Sequence, residues 1–279
     1  MTFATGVGSH PGDDARDYAD AVRVVWGELA EGHLPYVPEL PGRGAIGNLT
    51  GRALAMVTEI GADLQPAGWR LTTGSGVDHR RARSLLAQDL DAVEEQTQGY
   101  TGDVKVQVCG PWTLAATTEK PRGDKVLADH GARRDLAQAL AAGLAEHLAD
   151  VRRRLPRASR IVCQLDEPAL PAVLRAQVPT ASGFGRHRSV DIPEVSTAIG
   201  LLAEVIQGAG AEPWLHCCAP GLPYSVLSRA GVSGFVVDSG QLDAEATEEV
   251  AQLLEDGAWL TLGVLPTLPA AGDTWTAVR

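Results

Sequence analysis

The feature that most restricts this chain is a regular exchange of short apolar runs with longer amphipathic stretches. Val104-Lys105-Val106-Gln107-Val108-Cys109 stops at Gly110-Pro111, and Arg160-Ile161-Val162-Cys163-Gln164-Leu165 stops at Asp166-Glu167-Pro168. Similar runs lie at 213–217, 233–238 and 259–265, with shorter ones at 3–9 and 34–38, and 69–73 reads as one hairpin arm. Between them apolar residues recur at helical spacing, as at Tyr18, Ala21, Val22, Val25, Trp26 and Leu29. Helices are predicted near 13–32, 48–60, 78–97, 131–154, 193–209, 221–230 and 243–255. A strand, a helix and another strand in succession place parallel strands side by side with the helix as crossover. A doubly wound sheet would show three spaced glycines after its first strand. Gly6-Val7-Gly8-Ser9-His10-Pro11 lacks the third and runs into proline. The predicted fold is a (β/α)8 TIM barrel.

At 279 residues and 44% hydrophobic content, the whole of 1–279 reads as a single barrel domain. Strands begin near 3, 34, 104, 160, 213, 233 and 259, one short of the eight that close a barrel. The eighth strand is expected to be lacking because the chain ends early, soon after the loop 266–273. A formal charge of −11 opposes binding to nucleic acid or an anionic membrane, while leaving room for a local basic pocket for an anionic metabolite. No apolar run approaches the roughly 20 residues that span a bilayer. The first six residues lack the basic and apolar regions of a signal peptide, so a cytoplasmic location is expected. In that compartment Cys109, Cys163, Cys217 and Cys218 read as ligand or core residues rather than disulfides.

In a barrel the strand ends form the active-site face. Here they carry Ser9, Glu39, Asp166, His216 and Asp238. The sharpest segment is Trp214-Leu215-His216-Cys217-Cys218-Ala219-Pro220. His216 and Cys218 are two apart, so on a strand end both point one way and can grip one zinc ion, while Cys217 points into the wall. A buried strand with small cysteines is the plainer reading. Asp166-Glu167-Pro168 offers two carboxylates for an ammonium or another polar group, or equally a helix cap. Glu39 and Arg43, in the loop Pro38-Glu39-Leu40-Pro41-Gly42-Arg43-Gly44, suit a carboxylate or zwitterion clamp, or a surface ion pair of little consequence. The exposed N–H groups of the 6–11 turn can bind a carboxylate. Asp238 is an oxygen donor to the same metal, or a helix cap.

In order along the chain, Val7-Gly8-Ser9, Glu39 to Arg43, Gly110-Pro111-x-Thr113-Leu114, Gln164-Leu165-Asp166-Glu167-Pro168-Ala169-Leu170 and His216-x-Cys218 resemble the catalytic domain of cobalamin-independent methionine synthase, in its short single-domain form. The resemblance covers most of the chain, and the Gln-x-Asp-Glu-Pro-Ala-Leu stretch is its most specific part. It implies a zinc methyltransferase acting on homocysteine, with 5-methyltetrahydrofolate or its polyglutamate form as donor. It implies His216 and Cys218 as zinc ligands, with Asp238 where the family has a glutamate ligand. Ser9, Glu39 and Asp166 hold the amino-acid end of homocysteine, and Glu167 lies near the folate. No cysteine follows Cys218 to serve as a further ligand, and the stretch 262–268 has no histidine to act as proton donor. Two other readings stay open: a zinc thiol methyltransferase with a methylcorrinoid or other small donor, and a non-catalytic barrel that binds an amino acid or folate.

Overall fold

The computed structural model describes residues 2–265. Helix α1, Ala15–Leu29, starts at Asp14, whose carboxylate accepts the N–H of Asp17, and buries the predicted stripe Tyr18, Ala21, Val22, Val25 and Trp26. A short 3₁₀ turn at Pro41–Arg43 precedes α2, Leu49–Met56. Strands β1, Gly61–Gln65, and β2, Gly68–Thr72, form an antiparallel hairpin. Only its second arm is predicted from the sequence, because Gly-Ala-Asp-Leu-Gln has no β-type apolar run.

The remainder alternates as expected: α3 Val77–Gln96, β3 Val104–Cys109, α4 Pro111–Thr117, α5 His130–Arg154, β4 Ile161–Asp166, α6 Leu170–Leu174 and α7 Ile192–Gly208. It ends with β5 Glu212–Cys217, α8 Tyr224–Arg229, β6 Gly234–Asp238, α9 Ala244–Glu255 and β7 Trp259–Gly263. Strands β3 to β7 form one parallel sheet in chain order. The protein is therefore a mixed α/β fold built on a five-stranded parallel sheet. Among the described residues no helix is long and apolar enough to cross a membrane.

Segments 3–9 and 34–38 are not regular strands, a correction to the sequence reading. They run beside the sheet, with Ser9 bridged to Glu39 and Tyr36 to Lys105. Pro35 and Pro38 have no N–H to donate, and Gly8 adopts φ 136°, so the ladder is broken into single bridges. A closed barrel is not seen among the described residues, where β7 pairs with β6 alone. The expected early end and missing eighth strand concern positions beyond 265 and lie outside the described residues.

Register decides which side chains face inward. Lys105 pairs with Val162, Gln107 with Gln164, Gln164 with Trp214, and Asp166 with His216. These point to one side, while Val106, Val108, Cys163, Leu165, Leu215 and Cys217 pack against the helices. Trp214 is fully buried at the centre of the inner side. Any Cβ at Gly234 would come within 2.7 Å of its indole, so only glycine fits there. Phe3 lies against Trp214 and Trp259, at centroid distances of 5.9 and 5.6 Å. Beside this aromatic group the inner side also holds the buried Lys105 and Gln164, and its other polar residues lie toward the C-terminal end of the strands.

Candidate active site

Five polar side chains run from the interior to the rim as one hydrogen-bonded line. Lys105, on β3, is fully buried and donates from Nζ to Gln164 Oε1 at 2.7 Å and to the Val7 carbonyl at 3.2 Å. Gln164 Nε2 donates to Asp166 Oδ1 at 2.7 Å. Asp166 Oδ1 also lies 2.8 Å from His216 Nδ1, and His216 Nε2 faces Cys218 Sγ at 3.0 Å. The line exists because β4 and β5 are in register, with Asp166 opposite His216. Burial works against charge on His216, but its hydrogen bonds to Asp166 and Cys218 outweigh that and push its pKa up to about 9. Burial drives Lys105 down to about 8, against the pull of Asp166 and Glu39.

A cavity of about 110 Å³ opens beside this line and is lined by Ser9, Glu39, Gln107, Asp166, Pro168 and His216, among others. Ser9, Glu39, Asp166 and His216, all singled out from the sequence, are thereby brought together. Cys218 is exposed at the rim, and Cys217 is buried among the helices, facing away as predicted. Burial raises the Glu39 carboxyl to about 7, with Asp166 adding to the rise and Arg52 opposing it.

Three expected site residues have other tasks. Arg43 does not face the cavity. Its guanidinium forks onto Asp89 with two 2.7 Å bonds and lies over the Tyr18 ring at 4.8 Å. Arg52 joins the same carboxylate at 2.5 Å and reaches Glu39 at 3.3 Å, so Arg43 belongs to a buried ion network behind the site. A clamp for a ligand carboxylate would need those bonds broken.

Glu167 is fully buried. Its carboxylate accepts the N–H groups of Trp112 and Thr113 and the Thr113 hydroxyl, at 2.9, 2.8 and 2.7 Å, and so holds the start of α4. A Cβ at Gly110 would collide with that carboxylate, which explains the Gly-Pro stop. Burial raises Glu167 to about 7 although these bonds favour its charged form. In this geometry it positions β4 and α4 and touches no ligand space.

Asp238 does not converge with His216 and Cys218. His216 stands opposite Val236 and Cys217 opposite Val237, so Asp238 falls level with Cys218, but its carboxylate is turned to its own loop. Its carboxylate accepts the Gly240 N–H at 2.9 Å and caps the turn Ser239–Gln241. Among the described residues the only three acidic, His or Cys ligand atoms within 4.8 Å of one another belong to the exposed Asp13 and Asp14 and the half-buried Asp17. Lys105, Gln107 and Gln164 were missed by the sequence reading. Their signal was present: polar residues at alternate positions in Val-Lys-Val-Gln-Val and Cys-Gln-Leu-Asp mark an inner face that is not all apolar.

No protein-family model matches this sequence, and no curated protein matches it. The fold is similar to that of a B12-independent methionine synthase from Shewanella sp. W3-18-1, solved with selenomethionine, at a TM-score of 0.57 and 14% identity. That likeness covers 93% of this chain and 79% of the other. A 2,3-dimethylmalate lyase of the PEP mutase/isocitrate lyase superfamily overlaps 97% of this chain and 71% of its own, but with 13% identity and a TM-score of only 0.38. At 14% identity the first likeness establishes a shared fold.

Proposed function

We propose that this chain is a zinc-dependent methyltransferase that moves a methyl group onto the thiol of homocysteine, with 5-methyltetrahydrofolate or its polyglutamate form as donor. The observation that carries the reading is the Asp166–His216–Cys218 line at the edge of a cavity walled by Glu39 and Ser9. A histidine that ligates zinc commonly gives its other ring N–H to a carboxylate, and Asp166 stands where that partner belongs. The free Nε2 then faces a thiol at 3.0 Å. Zinc bonds of about 2.0 Å to nitrogen and about 2.3 Å to sulfur suit this pair after a small turn of the exposed Cys218 side chain. The donor set fits zinc in kind, with two chain ligands in place.

His216 and Cys218 would hold the ion. Held by these two residues, the ion would supply Lewis acidity that favours the thiolate form of a substrate thiol at neutral pH. Asp166 fixes the His216 tautomer and ring plane. Glu39 and Asp166 make the cavity acidic, which suits a substrate ammonium. An arriving ammonium favours the ionised form of Glu39, which burial alone disfavours. The Ser9 hydroxyl adds a further hydrogen-bonding group. Loops over the cavity would hold the reacting atoms in line and away from water.

A second reading, an amino-acid-binding barrel without turnover, is favoured by the position of Asp238, which leaves the pair without a third ligand among the described residues. Metal analysis of the purified protein separates the two, followed by assays with methyltetrahydrofolate, its polyglutamate form and methylcobalamin side by side. Stoichiometric zinc and turnover with a folate donor are expected. Turnover with methylcobalamin alone would move the reading to a corrinoid-dependent enzyme. Absence of zinc would leave only the binding barrel.

A further inference from the structure

The larger cavity lies elsewhere. Between the start of α5 and residues 186–189 is a space of about 360 Å³, whose walls include Arg133, Arg186, His187, Arg188 and Ser189. Its volume falls in the range of small-molecule sites, roughly 300–1,000 Å³. Helices α5 and α7 run back against the parallel strands, so both begin at the sheet end that carries His216. This cavity, beside both helix starts, lies at that same end.

Its walls are unusual for this molecule. The chain carries a formal charge of −11, and many of its buried or half-buried arginines meet carboxylates: Arg43 and Arg52 on Asp89, Arg70 on Glu119, Arg154 on Asp91 and Glu94, Arg160 on Asp103 and Glu212, while Arg83 and Arg152 meet backbone carbonyls. Arg133 follows that habit. Its Nε and Nη2 donate to Glu194 at 2.8 and 2.9 Å and its Nη1 to the Leu127 carbonyl at 2.7 Å, which fixes it in the wall. Arg186 and Arg188 do not. Among the described residues neither meets an acid, and Arg186 donates only to the neighbouring Gly185 carbonyl, at 3.3 Å. Between them, His187 is only 6% exposed and lies 3.2 Å from Asp124, yet its buried Nε2 makes no hydrogen bond. The buried imidazole anchors the segment, and the two exposed arginines that flank it both line the cavity.

We propose that this cavity is a second ligand site, for a small molecule bearing oxyanion groups, either phosphate or clustered carboxylates. Guanidinium forks match both geometrically, and an anion placed between Arg186 and Arg188 relieves their mutual repulsion. The site is independent of the zinc reading, because none of its residues touches the Asp166–His216–Cys218 line.

The test is calorimetric titration of the full chain with inorganic phosphate, pyrophosphate and tricarballylate. Two double variants accompany the wild type, R186Q/R188Q and R80Q/R81Q; the second removes the same charge from the exposed face of α3. Saturable binding of at least one probe is expected, weakened about tenfold or more in R186Q/R188Q and unchanged in R80Q/R81Q. The probe that binds tightest tells phosphate from polycarboxylate. All four arginines are exposed, and matching unfolding curves would confirm that both variants are folded. No saturable binding of any probe, or equal weakening in both variants, would overturn the proposal.

Discussion

The rim above β4 and β5 and the rim above β6 and β7 each end in an acid, yet they organise it differently. On the first, Asp166 looks across to the next strand and meets His216, with Gln164 and Lys105 behind it. On the second, Asp238 turns back onto its own loop and caps Gly240, with Val236 in the layer of His216. β4 is buried along its full length, while β7 is half-buried or exposed. β6, like β4, has a strand on each side, so place in the sheet does not separate the two acids; the difference is the group each carboxylate meets, a histidine across the sheet for Asp166 and the Gly240 N–H of its own turn for Asp238. Pre-organisation for a metal is therefore expected on the first rim alone.

The largest effect should come from Cys218→Ser. Zinc affinity should fall by more than the about 10- to 100-fold that loss of a supporting group costs, and methyl transfer should drop to background. A Cys218→Ser protein that keeps stoichiometric zinc and full turnover would erase the distinction between the rims. Cys217→Ser, in the helix-facing layer, should keep its metal.

Next is Lys105→Met. It leaves Gln164 Oε1 without its lysine donor, takes one of two donors from the Val7 carbonyl, and removes the buried cation that favours the charged forms of Asp166 and Glu39, the latter keeping Arg52. Removing one member of a buried charged set costs about 3 kcal/mol or more, roughly 6–12 °C in Tm for a chain of this size. If the methionine variant melted like wild type, the interior line would add nothing to the order of the first rim.

Much of this architecture was legible. The runs at 104–109, 160–165, 213–217 and 233–238 became β3 to β6 almost to the residue, because each is apolar and ends at Gly-Pro, a carboxylate or a cysteine turn. The helices at 131–154 and 193–209 were equally plain from their spacing. What stayed hidden was pairing at a distance. Nothing near Arg43 announces Asp89, 46 positions away, and nothing near Glu167 announces the amides of Trp112 and Thr113. A carboxylate beside a strand end reads the same whether it faces ligand space or a neighbouring helix; register and burial decide. Asp238 shows the same limit: level with Cys218 in the register, its carboxylate still turns to its own loop and caps Gly240.

A smaller effect is expected from Glu39→Gln, and its sign depends on pH. Burial lifts the folded-state pKa of Glu39 from 4.5 to about 7, so the folded protein holds this proton more tightly than the unfolded one. Its contribution to stability is full below pH 4.5 and is lost as pH rises through about 7. Glutamine resembles the protonated acid at every pH. The variant should match wild type near pH 4 and be more stable at pH 8, by roughly 3 kcal/mol. Urea unfolding of both proteins across that range measures the difference, in which the contributions of the histidines cancel. A variant less stable than wild type at pH 8 would mean that the Arg52 contact outweighs burial.

Asp238→Ala should do least, and it separates the two rims most cleanly. In the free protein the carboxylate only caps a short turn, so its loss costs about 1 kcal/mol, and zinc affinity should hold within about twofold. Equilibrium competition against a chelator reads the affinity directly, without any assumption about the methyl donor. If affinity fell as far as in Cys218→Ser, the carboxylate must leave Gly240 and reach the ion on binding. Aspartate is one methylene shorter than glutamate, and Asp238 lies one inward position beyond His216, so that reach requires the 238–241 turn to move as a unit. An Asp238→Glu variant would then bind zinc more tightly than wild type, since the longer arm needs less of that movement. If both substitutions leave the affinity untouched, the second rim plays no part in holding the metal.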